Sequence, residues 1–229
     1  MTAGPGRMVR LRVAQPLRFL LSARYRHDPI VVPADESTSL VHVVETLGIP
    51  RTEIGELRVD AEGVVEVPAL SRPQRLAQPR FVLDVHLGTL ARRMRLLGLD
   101  TAYRNDATDP ELVAQAAAEG RVVLTQDRGI LRRKALAPGS GYVRGSDPDA
   151  QLRDVLERYD PPLAPWSRCL ACNGILEAVT EPEVRHLLRA GTRRSYTEFS
   201  RCRSCGHPYW RGAHAGRLAA IVAQATGRT

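Results

Sequence analysis

The sequence predicts an α/β protein built from three units, and three observations point to this architecture. Strand and helix patterns alternate through the middle of the chain, which is typical of a parallel sheet flanked by helices. Two proline-containing breaks, SRPQRLAQPR (71–80) and DPPLAPW (160–166), divide the chain. All four cysteines lie in two C-x-x-C pairs in the last third. We therefore expect units at 1–78, 79–163 and 164–229.

The first unit has the pattern of a small sheet with one helix. Strands are predicted at Met8–Val13 and Pro29–Val32, and a helix over Thr38–Leu47, where apolar residues recur at helical spacing. Leu57–Val59 and Val64–Val67 flank the turn DAEG, which predicts a hairpin. The order strand, strand, helix, strand, strand is typical of a β-grasp, ubiquitin-like domain.

The second unit alternates strands with helices. The predicted strands are FVLDV (81–85), a segment near Thr101–Tyr103, RVVLT (121–125) and GYVRG (141–145). The predicted helices are the segment that follows FVLDV and closes at Gly98, ELVAQAAAEG (111–120) with Asp109 as its N-cap, RGILRRKALA (128–137) and Pro148–Tyr159. Such alternation predicts a parallel three-layer sheet.

Carboxylates follow the ends of these strands. Asp84 ends the first strand, Asp127 and Asp147 each lie two residues beyond a later one, and Asp109 begins the helix between. Because the carboxyl ends of parallel strands share one edge, we expect the four to converge, and their mutual repulsion predicts a Mg²⁺ or Mn²⁺ site. Two such ions support phosphodiester hydrolysis. Asp109 as a helix cap and Asp147 as part of a turn are the structural alternatives.

Three arginines on the helix after Asp84 are candidates for RNA contacts. Arg92, Arg93 and Arg95 lie away from the apolar stripe of that helix, where they can hold the phosphates beside a scissile bond. A solvated helix face without function is the alternative for each of them.

The cysteines carry the strongest local signal. Cys169 and Cys172 form one C-x-x-C pair, and Cys202 and Cys205 form the other. Four thiolates at this spacing predict a structural zinc site, and they leave no open position for catalysis. The stretch between the pairs is longer than usual, which predicts an inserted element. Disulfides are the alternative, and a reducing compartment disfavours them.

The last unit carries most of the positive charge. Residues 164–229 hold ten arginines and four acidic residues, whereas each of the other two units has a net charge of +1. Trp210 and Arg211 follow the second cysteine pair, which suggests stacking on a base and contact with a phosphate. Packing against the zinc core is the alternative for Trp210. We expect this unit to supply most of the RNA affinity, and residues 1–78 to supply little.

Composition narrows the classes of protein. The mean hydropathy is −0.24, and no apolar run is long enough to span a membrane. The N-terminal segment MTAGPGRMVRLRV lacks the apolar core of a secretory signal, so we expect a soluble, cytoplasmic protein without a membrane partner. The net charge of +8 favours an anionic partner, most simply nucleic acid.

Four stretches together resemble one family. The chain is similar to the PIN-like ribonuclease domain named after the C-terminal part of the nematode Mut-seven exonuclease, which is found in bacteria with a zinc ribbon and often an N-terminal ubiquitin-like domain. The matching stretches are DVHLGTLARRMRLLGLDT (84–101), AAAEGRVVLTQDR (116–128), RCLACN (168–173) and CRSCGHPYWRGAH (202–214). The resemblance implies a PIN-like parallel sheet with flanking helices, preceded by a β-grasp domain and followed by a zinc ribbon.

The resemblance also implies site residues. Asp84, Asp127 and Asp147 are similar to the metal-binding acids of PIN-like nucleases, and Asp109 matches a fourth better than its competitors Asp106 and Asp149. Gln126, His86 and Arg51 depart from the residues that the family has at these positions. Arg128, at the end of a matching stretch, joins the candidates for RNA binding.

The sequence therefore predicts a metal-dependent ribonuclease with structural zinc and catalytic Mg²⁺ or Mn²⁺, acting on RNA, with tRNA and the ribosome among the candidate partners. The alternative is a non-catalytic RNA- or ribosome-binding adaptor on the same scaffold. A ubiquitin-like carrier is disfavoured, because the first unit does not end in Gly-Gly. Protein docking is the expected role of that unit.

Overall fold

The first sheet has the β-grasp pattern. A computed structural model describes residues 6–26, 29–210 and 215–227. Its first elements are β1 (Gly6–Val13), β2 (Ile30–Asp35), α1 (Leu40–Thr46), β3 (Arg58–Val59) and β4 (Val64–Val67). The sheet order is β2-β1-β4-β3, with β1 parallel to β4 and both outer strands antiparallel to their neighbours. The predicted order of strands and helix is confirmed.

The second sheet is entirely parallel, as predicted. Its strands and helices are β5 (Arg80–Leu83), α2 (Gly88–Leu96), β6 (Asp100–Tyr103), α3 (Asp109–Glu119), β7 (Val122–Thr125), β8 (Gly141–Tyr142) and α4 (Pro148–Tyr159). The order is β6-β5-β7-β8. The chain adds β6 on one side of β5 and then crosses to β7 on the other. The carboxyl ends of β5 and β7 thus form the topological switch point where ligands of such sheets bind.

Helices cover both faces of this sheet. On one face, Phe81 and Leu83 pack with the apolar residues of α2 and α4. On the other face, Val82 and Val123 pack against α3. The strands are buried on both sides, so the polar residues that follow β5 and β7 stand out at the sheet edge.

Four local predictions for this unit need correction. Residues 128–137 form only a short 3₁₀ turn at Ile130–Arg132 instead of a helix, and the strand predicted over 141–145 is only two residues long. The first strand ends at Leu83, so Asp84 follows it. The N-cap of α3 is Thr108, which forms a capping box with Glu111, and Asp109 is the first helical residue.

The last unit contains a three-stranded antiparallel sheet with an insertion. Its elements are β9 (Leu176–Val179), α5 (Glu181–Val184), α6 (Ala190–Ser195), β10 (Phe199–Cys202) and β11 (Pro208–Trp210), with the order β11-β10-β9. The two short helices are the predicted insertion between the cysteine pairs.

A final helix returns to the second unit. This helix, α7 (Ala215–Thr226), was not predicted, and its Ile221, Val222 and Ala225 pack against the core formed by α2 and α4. Within the described residues, no helix is both long and apolar enough to cross a membrane.

Candidate active site and metal centre

Asp84 occupies a buried position at the switch point. Asp84 directly follows β5 in the sequence, and only 6% of the residue is exposed. One carboxylate oxygen accepts a hydrogen bond from the Val85 amide (2.6 Å) and the other from the Thr125 hydroxyl (2.7 Å). A buried carboxylate needs such donors, and these two fix its orientation.

Asp127 is joined to Asp84 through Thr125. The Thr125 hydroxyl oxygen accepts a hydrogen bond from the Asp127 amide (2.8 Å) while its proton is donated to Asp84. The Asp127 carboxylate is exposed and accepts from the Gly129 amide (2.6 Å). The last residue of β7 therefore couples the two acids that follow neighbouring strands.

Both acids line an open cleft of about 1040 Å³. Asp109, His86, Gln126 and Arg128 line the same cleft on the side of the parallel sheet. The opposite wall belongs to the ubiquitin-like domain and includes Ser22, Arg24, Thr46, Leu47 and Gly48. No sequence pattern predicted this second wall, because the two halves of the cleft are far apart in the chain.

The remaining two acids are placed differently. Asp109 is exposed in the cleft wall, whereas Asp147 does not line the cleft. Asp147 is the N-cap of α4 and accepts hydrogen bonds from the Asp149 and Ala150 amides, both at 2.9 Å. The Ala150 amide, helped by that of Asp149, holds the pKa of Asp147 below its usual value. The structural alternative considered for Asp147 was a turn, and its contacts are instead those of a helix N-cap.

The three helix arginines have separate environments. Arg92 is exposed. Arg93 forms an ion pair with Asp149. Arg95 is only 3% exposed, so the prediction that it faces solvent is wrong. Its guanidinium donates to the Thr101 carbonyl at 2.9 Å and to the Leu170 and Ala171 carbonyls at 3.0 and 2.8 Å, which ties α2 to the first cysteine knuckle.

The four cysteines form a candidate metal centre. Cys169, Cys172, Cys202 and Cys205 have their sulfurs within 4.8 Å of one another. The Cys169–Cys205 and Cys172–Cys202 sulfur separations are 3.7 and 3.4 Å. A tetrahedron of zinc–sulfur bonds of about 2.3 Å places sulfurs about 3.8 Å apart, so the quartet fits zinc. Among the described residues, no other group of three or more potential ligands is gathered this closely.

Tyr209 supports this centre from outside the quartet. Its hydroxyl lies 3.1 Å from the Cys169 sulfur and accepts a hydrogen bond from the Leu170 amide (3.0 Å), so its proton is directed to the sulfur. Burial works against the thiolate, but the hydrogen bonds from Tyr209 and from the Cys172 and Ala171 amides outweigh it and lower the pKa of Cys169 to about 6. Ionised sulfur is the form that binds metal.

Two further candidates concern the end of the ribbon. Trp210 is 39% exposed and lies on β11 opposite Phe199, at the edge of a small apolar cavity that Leu96 and Trp166 also line. Arg211 lies outside the described residues. The ring of Trp210 is therefore partly available for stacking and partly packed.

The fold and the sites define an α/β domain with acids at the switch point of a parallel sheet, a β-grasp domain before it and a four-cysteine centre after it. A family model described as the Mut7-C RNAse domain matches residues 79–222, and one described as Mut7-C ubiquitin matches residues 6–70. The chain belongs to the Mut7-C RNAse domain family, which confirms the resemblance found in the sequence. No curated protein gave a significant match to the chain.

Proposed function

We propose that this protein is a metal-dependent ribonuclease whose active site is the cleft that contains Asp84 and Asp127. The observation that supports this most is the coupling of these two carboxylates through Thr125 at the switch point of the sheet. A buried acid held in one orientation beside an exposed acid suits a site that binds cations and a phosphodiester. Membership of a ribonuclease-type family favours the same reaction.

The donor set fits Mg²⁺ or Mn²⁺, because both prefer carboxylate oxygens and retain water ligands in open sites. Asp84 and Asp127 would hold the ion, Asp109 would join from the cleft wall, and Asp147 remains the fourth candidate from the family resemblance. When bound, such an ion lowers the pKa of water and neutralises charge on the phosphate.

The protein's own groups then have defined tasks. Hydrolysis joins a water oxygen to phosphorus and breaks the bond to one bridging ester oxygen, which leaves with a proton. The Thr125 hydroxyl keeps Asp84 in one orientation. Gln126 donates hydrogen bonds to the Val143 and Gly145 carbonyls (3.0 and 2.8 Å), which holds the segment before Asp147 beside the cleft.

The ribbon has a structural and a binding role in this proposal. The cysteine quartet holds zinc, and the basic last unit grips RNA through Trp210 and Arg211. Of the remaining arginines, Arg92 is exposed and Arg128 lines the cleft, whereas Arg93 pairs with the Asp149 carboxylate and Arg95 is buried. RNA is the proposed substrate, tRNA and the ribosome are candidate partners, and protein docking remains a candidate role of the ubiquitin-like domain.

The test is Mn²⁺-dependent cleavage of single-stranded and structured RNAs by the wild type and by Asp84→Asn and Asp127→Asn. Asparagine keeps the shape of aspartate but removes the charge that holds the cation, so cleavage should fall by at least about 100-fold, while RNA binding persists. Glu157→Gln is the matched control, because Glu157 is exposed on α4, does not line the cleft and was never a candidate for the site.

Cleavage that survives in both cleft variants would overturn the assigned site. A wild type that binds RNA tightly but cleaves none of the RNAs would favour the adaptor instead. Elemental analysis measures the zinc content of each preparation, so that loss of the cysteine-bound metal is distinguished from loss of the catalytic ion.

A further inference from the structure

The ubiquitin-like domain holds the loop that carries Asp127. In this loop (126–133), the Arg128 guanidinium donates to the Leu20 carbonyl at 2.6 Å, and that of Arg132 donates to the Glu45 carbonyl at 2.7 Å. Both acceptors are backbone groups of the ubiquitin-like domain, and both donors lie in the short segment that was predicted to be a helix.

A third hydrogen bond runs in the opposite direction. Arg51 of the ubiquitin-like domain donates to the Arg133 carbonyl at 3.2 Å. Between these contacts, the backbone of Gly48 approaches closely: a Cβ at this position would lie 2.8 Å from the Leu20 carbonyl oxygen and 3.0 Å from the Arg128 guanidinium. Contacts with the ubiquitin-like domain thus hold the loop at Arg128, Arg132 and Arg133, all just beyond Asp127.

Arg24 lines the cleft on the side of the ubiquitin-like domain. The residue is exposed, and its guanidinium carbon lies 4.5 Å from the centre of the Tyr25 ring, a stacking distance. Among the described residues, no carboxylate lies within ion-pair distance of Arg24. Its hydrogen-bond donors remain available for an anion that enters the cleft.

We propose that the ubiquitin-like domain is a working part of the nuclease site: it positions Asp127 and forms the second wall of the RNA cleft, where Arg24 binds a phosphate beside the scissile one. This proposal rests on the proposed ribonuclease function. It also departs from the sequence-based expectation that residues 1–78 supply little RNA affinity.

The location of Arg24 determines the kinetic effect of removing it. In the proposed function Asp84 and Asp127 bind the reacting phosphate, whereas Arg24 lines the same cleft from the ubiquitin-like domain. A contact with a flanking phosphate is made equally in the bound substrate and in the transition state. Loss of such a contact raises KM and leaves kcat nearly unchanged.

The experiment compares Arg24→Gln with Arg10→Gln in the full chain. Arg10 is exposed on β1 of the same domain and does not line the cleft, so both variants lose one charge from one domain. Binding of a labelled single-stranded RNA is measured in the inactive Asp84→Asn background at several salt concentrations. We expect Arg24→Gln to weaken binding about tenfold and to reduce the slope of log affinity against log salt by about 0.7, and Arg10→Gln to change neither.

In the active protein, Arg24→Gln should raise KM about tenfold with kcat within about twofold of wild type. Equal binding by the two variants, with RNA cleaved normally by the wild type, overturns this inference and leaves the proposed function standing. Weaker binding by Arg24→Gln alone, in a protein that cleaves no RNA, supports the RNA-binding wall while the proposed catalytic function fails.

Discussion

Glu53 of the ubiquitin-like domain and Arg158 of α4 form an ion pair in which each residue is only 2% exposed. The Arg158 guanidinium donates to both Glu53 carboxylate oxygens, at 2.8 and 3.0 Å. One of those oxygens also accepts from the Tyr142 amide at 2.8 Å. The pair is buried between two domains, so it fixes their relative position and with it the geometry of the cleft between them.

Removal of Glu53 should therefore destabilise the whole protein. Glu53→Ala leaves the Arg158 charge buried without its partner, which costs about 3–5 kcal/mol of the free energy of unfolding. Glu62→Ala, a change at an exposed acid of the same domain, should alter it by less than about 0.5 kcal/mol. Urea denaturation of both variants measures the difference. Near-equal stabilities would show that the buried pair does not hold the domains together.

A comparison of Gly48→Ala with Gly63→Ala should distinguish the effect of a contact between domains from the effect of local backbone strain. Gly48 and Gly63 both have positive φ, at 106° and 76°, so alanine strains the backbone at either position. At Gly48 the added Cβ also meets the Leu20 carbonyl oxygen and, across the domain boundary, the Arg128 guanidinium, whereas at Gly63 it meets no atom within 4 Å.

We expect Gly63→Ala to cost about 1–2 kcal/mol in stability, and Gly48→Ala to cost more and also to lower kcat, because the loop that carries Asp127 has to shift. Unfolding curves and RNA cleavage by both variants provide the measurement. If both variants retain wild-type kcat, the contact at Gly48 does not position Asp127.

Loss of the cysteine-bound metal should destabilise part of the parallel sheet as well as the zinc ribbon. One zinc per chain is expected by elemental analysis, and Cys205→Ser should lose it. The Asn173 side chain accepts from the Thr101 amide at 2.9 Å, and Arg95 donates to the knuckle carbonyls, so chelation should increase hydrogen exchange at β6 as well as in residues 164–210. Protection of β4 in the ubiquitin-like domain is the internal reference. If hydrogen exchange rises only in the ribbon, the contacts of Asn173 and Arg95 do not couple metal binding to the stability of β6.

Asp100 makes stability depend on acid pH. Burial disfavours its charged form, but hydrogen bonds from Arg121 (2.6 Å) and Asn173 (2.8 Å) outweigh burial and hold the pKa of Asp100 below its usual value. Folding lowers the pKa of this carboxyl, so Asp100 stabilises the folded protein at pH values above the pKa that the group has in the unfolded chain, about 3.9. This stabilisation is lost as the pH falls below that value.

The free energy of unfolding of wild type should therefore exceed that of Asp100→Asn most at pH 6, and the difference should shrink below about pH 4. Asp35→Asn, at an exposed acid of β2, should stay close to wild type. Chemical denaturation between about pH 3 and pH 7 gives the comparison. A difference that does not change with pH would contradict the assigned role of Asp100.

Most strands and helices of the first two domains, and the positions of the two coupled acids, could be predicted from the residues alone, although the helix expected over 128–137 is absent and α7 was not predicted. Buried parallel strands are continuous apolar runs, so a polar residue at their end is visible without a structure, as Asp84 and Asp127 show. The cysteine metal site could also be predicted, because each C-x-x-C pair supplies two ligands through its local spacing alone.

The exposure of individual charged side chains and the contribution of two domains to one cleft depend on long-range contacts, so the fold was needed to find them. The helical pattern placed Arg95, like Arg92, away from the apolar stripe of α2. The Arg95 guanidinium is nevertheless buried, because the first cysteine knuckle, about 75 residues later, supplies carbonyl acceptors. The predicted helix over 128–137 is a short turn held by the ubiquitin-like domain. Contacts between residues this distant in sequence leave no periodic signal, so Arg24 could be placed in the same cleft as Asp127 only by the fold.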